Sequence, residues 1–62
     1  MCLSAVYNKN VADSNLLCRN IMKIDVQGEE IILTDIMQTD TTVVGRIVSA
    51  DLVNGVVIVD VA

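Results

Sequence analysis

Histidine, proline, tryptophan and phenylalanine are all missing from this 62-residue chain, and Tyr7 is its sole aromatic residue. Without histidine the usual general base at neutral pH is gone, and Ser4, Ser14 and Ser49 have no partner from which to build a nucleophile-plus-base arrangement. So short a chain also leaves little room for a substrate pocket, so no enzymatic activity is expected. Basic residues are scarce as well: four against eight acidic ones give a net charge of −4. That charge repels a phosphate backbone, and one tyrosine makes no stacking platform, so nucleic acid is not an expected partner. No apolar run reaches the ~18 residues a membrane helix needs, because Lys23, Asp25, Asp35, Arg46, Asp51 and Asp60 interrupt every hydrophobic stretch. No signal peptide is expected ahead of Cys2, and two cysteines, Cys2 and Cys18, fall short of a secreted disulfide framework. The expectation is a reduced, cytoplasmic protein.

What the chain has in quantity is β-branched side chains. Eleven valines, seven isoleucines and four threonines exceed a third of it, a composition that favours strands. One domain over residues 1–62 is expected, with a core so small that self-association is its natural support. The sheet should be antiparallel, because no stretch is spare for helical crossovers. Leu3 to Asn8 reads as a first strand. Turn-rich segments around Asn8-Lys9-Asn10 and Ala12-Asp13-Ser14-Asn15 follow, with Val11 pinned between them. Leu16-Leu17-Cys18 adds apolar mass before a strand over 21–26 that buries Met22, Ile24 and Val26 opposite Lys23 and Asp25.

Gln27-Gly28 is read as a two-residue turn into a strand over 29–35. After the polar link 38–42, Val43 to Val48 forms a strand in which Gly45 permits a bulge or tight bend. Asn54-Gly55 is the clearest turn signal, and Val56 to Val61 the closing strand. The expected fold is all-β: a small antiparallel barrel or barrel-like sandwich of five to seven short strands. An open sheet completed across a dimer is the rival.

The candidate site is Met1-Cys2. With Met1 retained, its amine, the deprotonated Cys2 amide and the Cys2 thiolate can close two chelate rings around one ion. With Met1 removed, the Cys2 amine and thiolate form an N,S clamp that two chains could complete as N₂S₂. Either donor set suits square-planar Ni²⁺ or Cu²⁺ before Zn²⁺. A terminal cysteine is also commonly no more than a small hydrophobe. Cys18 reads as such a hydrophobe behind Leu16-Leu17. The scattered aspartates read as a solvated face, and Glu29-Glu30 as neighbours pointing to opposite sides of a strand. Arg46 reads as a surface ion-pair partner.

Three segments together resemble a known family: Met1-Cys2-Leu3-Ser4, the paired strands around Gln27-Gly28, and Val44-Gly45-Arg46-Ile47 through Asp51-Leu52-Val53-Asn54-Gly55-Val56-Val57. The chain looks like the CooT-type small nickel-binding proteins of carbon monoxide dehydrogenase maturation, whose members also carry an older label as predicted RNA-binding proteins. The resemblance implies a β-barrel homodimer holding Ni²⁺ between its subunits through the second-position cysteine, here Cys2. It further implies nickel storage or delivery to a nickel-enzyme client. The alternatives are a small-barrel RNA-binding module and a protein adaptor in which Cys2 has no metal role.

Overall fold

The computed structural model describes residues 3–62. Five strands follow one another: β1 (Ser4–Asn8), β2 (Leu16–Gln27), β3 (Glu30–Asp35), β4 (Asp40–Asp51) and β5 (Val56–Val61). One 3₁₀ turn, Asp13–Asn15, precedes β2, and no α-helix occurs among the described residues. Each strand pairs antiparallel with the next, and β1 pairs with β5 to close a barrel. That last pairing is parallel. A five-stranded meander sends its last strand in the direction of its first, so closure is parallel and needs no helical crossover. Closure removes the exposed strand edges that so apolar a chain would otherwise offer to its neighbours.

The two twelve-residue strands each serve two neighbours. The first half of β2 pairs with β1 through Leu16, Cys18 and Ile21, and its second half pairs with β3 from Ile21 to Gln27. The first part of β4 pairs with β3 as far as Val44, and from Gly45 onward it pairs with β5. Each of these two strands therefore carries two paired segments. In β2 the change of neighbour falls where Asn20 takes a φ of 56° and the register slips between Ile21 and Lys23. In β4 it falls at Gly45, where a Cβ would lie 2.2 Å from the Asp60 carbonyl oxygen. Only glycine lets β4 and β5 approach this closely; the irregularity in their ladder falls not at Gly45 but between Ile47 and Ser49.

The bulge in β2 changes which residues are buried. Strict alternation from Met22 would put Met22, Ile24 and Val26 inside, but Ile21 is the buried residue at 3% exposure. Ile24 is half-buried against the core, while Met22 and Val26 are exposed. The inserted residue resets the alternation, so Ile21 and Ile24, three apart, both face the core. Val26 does pair with Ile31, yet it lies at the end of β2 and stays open to solvent. Val11 is exposed rather than pinned. The first hairpin turn is Gly28-Glu29, one residue later than expected. Gly28 has positive φ at the first central position, the pattern of a type II′ turn.

Six residues make the sealed core: Val6, Ile21, Ile31, Leu33, Val57 and Val59, with Cys18, Ile24, Val43 and Val61 packed around them. Every strand but β4 supplies a sealed residue. Thr34 is the buried polar residue, and its hydroxyl donates to Asp40 Oδ1 at 2.7 Å. No helix among the described residues is long and apolar enough to cross a membrane.

Candidate metal centre

The N-terminal end of β1 is fixed from two sides. Ser4 pairs with Ile21 of β2, and the Ala5 N–H donates to the Gly55 carbonyl at 2.8 Å. The Leu3 carbonyl oxygen packs so close to Gly55 that a Cβ there would lie 2.8 Å from it. The first described residues therefore sit against the β4–β5 turn.

That turn, residues 52–55, is held by one carboxylate. Asp51 Oδ1 accepts the Asn54 N–H at 3.1 Å, and Asp51 Oδ2 accepts from Asn54 Nδ2 at 2.8 Å. Hydrogen bonds from Asn54, the side-chain bond foremost, hold the Asp51 carboxyl below its usual pKa of 3.8. Gly55 completes the turn with a φ of 68°, which a side chain would disfavour.

Beside this junction lies an open, mostly apolar cleft of 260 Å³, lined by Ser4, Ile21, Met22, Ile24, Ile47 and Leu52, among others. Leu52 and Val53 project from the turn at 68% and 93% exposure. Leu3, Met22, Ile47 and Val48 are exposed too. Twelve large apolar residues are exposed among those described, against six sealed in the core.

Met1 and Cys2, the expected ligands, lie outside the described residues. Cys18 is a free thiol, half-buried against the core and paired across to Val6 rather than to Ser4. Its surroundings are those of a small hydrophobe. No group of three histidine, cysteine, aspartate or glutamate side chains able to hold an ion occurs among the described residues.

The acidic residues instead have local tasks. Asp25 pairs with Lys23 at 3.2 Å, and Asp60 faces Arg46 across the β4–β5 ladder at 3.9 Å. Asp35 Oδ1 accepts the N–H groups of Met37 and Thr39 at 2.9 and 3.0 Å. Asp35 and Asp51 are thus turn-fixing groups, not merely a solvated face. The spacing that marks them, an aspartate opening a tight connection, is present in the sequence. Glu29 lies in a turn and Glu30 begins β3; both are exposed.

A family model described as CO dehydrogenase accessory protein CooT matches residues 1–60 of the 62. The chain belongs to the CooT family. Membership implies a part in CO dehydrogenase maturation and marks the chain as an accessory protein rather than a catalyst. The accessory role suggests a CO dehydrogenase as the partner enzyme. No curated protein matches it significantly.

Proposed function

We propose that this CooT chain binds Ni²⁺ reversibly through Cys2 and carries it as cargo to a CO dehydrogenase. The Cys2 thiolate is the anchoring ligand. The Met1 amine with the Cys2 amide, or the Cys2 amine after Met1 removal, supplies nitrogen. A second chain brings the same donors across a two-fold axis, which gives the planar N/S set that nickel favours.

The observation that carries this reading is the extent of the family match, which runs from Met1 through Cys2 and covers nearly the whole chain. Two features of the described residues support it. The end of β1 nearest the N-terminus is clamped to the 52–55 turn, so ligands extending from it would be held near a rigid frame. The adjoining apolar cleft, with Leu52 and Val53 beside it, is a surface for a second copy to cover. No competing thiolate site exists among the described residues.

Binding displaces protons from the thiol, and from the amide in the Met1-retained form, so affinity rises with pH. A site made by two chains also ties metal affinity to dimerisation by mass action. The reading is tested by titrating the reduced protein with Ni²⁺ and following thiolate-to-nickel charge-transfer absorption. Wild type and Cys18→Ser develop the band and Cys2→Ser does not. A band that survives in Cys2→Ser overturns it. Absence of the band in all three leaves the apolar cleft as a docking surface for the enzyme partner, the adaptor reading. Salt-dependent binding of a labelled RNA would instead favour the RNA-binding one.

A further inference from the structure

Five asparagines occur in the chain, at positions 8, 10, 15, 20 and 54. Lys9, Val11, Leu16 and Ile21 follow the first four, and each screens its own amide nitrogen with a side chain. Asn54 alone is followed by glycine. Asn54 is exposed, and among the described residues the Gly55 N–H donates no turn or loop hydrogen bond. An unscreened amide nitrogen next to an asparagine carboxamide is the arrangement in which asparagine is thermolabile. What restrains it here is Asp51, whose two carboxylate oxygens hold the Asn54 backbone N–H and side-chain NH₂.

We propose that Asn54-Gly55 is a self-modification site, restrained by Asp51, whose product loosens the N-terminal strand. The Gly55 nitrogen, having given up its proton to solvent, attacks Asn54 Cγ. The new N–Cγ bond forms as the Cγ–Nδ2 bond breaks, and the Nδ2 nitrogen leaves as ammonia after taking up a proton. The resulting succinimide is opened by water to aspartate or isoaspartate. Asp51 slows the first step in two ways: it fixes the carboxamide rotamer, and its negative charge on the NH₂ makes Cγ less electrophilic.

Isoaspartate routes the main chain through Cγ and adds one methylene to a turn with no slack. Gly55 is the residue whose carbonyl holds the Ala5 N–H and whose α-carbon packs on the Leu3 carbonyl. Lengthening the turn moves Gly55 and releases both contacts, so the beginning of β1 frees itself from the β4–β5 turn. The inference stands on the turn chemistry alone and does not depend on metal binding.

The test is incubation of the full-length, metal-free protein in mildly alkaline buffer. Wild type, Asp51→Asn, Asp51→Ala and denatured wild type are compared by peptide mass and isoaspartate content, and amide hydrogen exchange is read at Ala5. The expected result is conversion confined to Asn54, slowest in folded wild type. Asp51→Asn is several-fold faster, and Asp51→Ala approaches the denatured chain. Converted protein loses protection at Ala5 while keeping it at Leu33. Equal rates in folded wild type and Asp51→Asn overturn the restraint. Conversion spread over the other asparagines, or full Ala5 protection after conversion, overturns the site or its consequence. Asp51→Asn keeps an acceptor for the Asn54 N–H, so the comparison stands even if Asp51→Ala fails to fold.

Discussion

Gly45→Ala measures how closely the barrel is closed. The new methyl carbon would lie 2.2 Å from the Asp60 carbonyl oxygen, 2.9 Å from the Val61 α-carbon and 3.0 Å from the Asp60 carbonyl carbon. All three are backbone atoms, so no side chain can swing aside. β4 and β5 must part by about 1 Å or more to restore van der Waals contact. That separation strains the Gly45–Val61 pair and the bond from the Ala62 N–H to the Val44 carbonyl. Weakening two hydrogen bonds costs ~1 kcal/mol each, and overpacking adds ~1–3 kcal/mol. Relief of glycine's backbone entropy returns ~0.5–1 kcal/mol. The net destabilisation is ~2–4 kcal/mol, set against a total stability of roughly 3–9 kcal/mol for a domain of this length. Urea unfolding followed by far-UV circular dichroism measures it. Gly28→Ala is the control: nothing lies within 4 Å of its added carbon, and only its positive φ is strained, costing ~1 kcal/mol. A Gly45→Ala midpoint equal to wild type, or a smaller loss than for Gly28→Ala, would refute the steric argument.

Leu33→Ala, at the centre of the sealed core, costs ~2–5 kcal/mol, read as a large drop in the urea midpoint by circular dichroism. Arg46→Ala changes stability by less than ~1 kcal/mol, because its ion pair with Asp60 is exposed; denaturant midpoints check this. Asp51 has a lowered folded pKa, so its contribution is fully present above the unfolded value of 3.8 and is lost as pH falls through the folded value. Wild type is therefore more stable than Asp51→Asn at neutral pH, and the difference shrinks once pH drops below 3.8. Thermal melts of both proteins across that range follow it.

The apolar runs of β3, β5 and the middle of β4 were legible from alternation and β-branching, whereas residues 40–42, expected as a polar link, and residues 49–51 extend β4 at both ends. The number of short strands in so little chain pointed to a barrel or sandwich; the parallel β1–β5 pair that closes it is a property of the assembled sheet. Burial along β2 was not legible, since a single inserted residue at the Ile21–Lys23 bulge reverses the alternation and nothing local marks it. Ile21 therefore took the place foreseen for Met22 and Val26. The double pairing of the two long strands depends on which neighbour each half meets, and this is a property of the whole barrel. At Gly45 the residue type hinted at a special position, but what requires glycine there is the close approach of the Asp60 carbonyl, fifteen residues away. Around the candidate centre, the chemistry of Met1-Cys2 came from residue type and position alone, and both residues lie outside those described. Its frame, with Leu3 and Ala5 held by Gly55, is a long-range contact that the structure supplied. In the sequence Asp51 and Asp35 look like surface charge, because the same residue type serves solvent and turns alike.

The most direct test of nickel carriage by paired N-termini is sedimentation of the reduced protein with and without Ni²⁺, with bound metal quantified in each species. One nickel per two chains in wild type, with metal driving dimer formation and neither effect in Cys2→Ser, is the predicted result. Nickel bound in equal amount by Cys2→Ser, or bound one to one by a monomer, would contradict it.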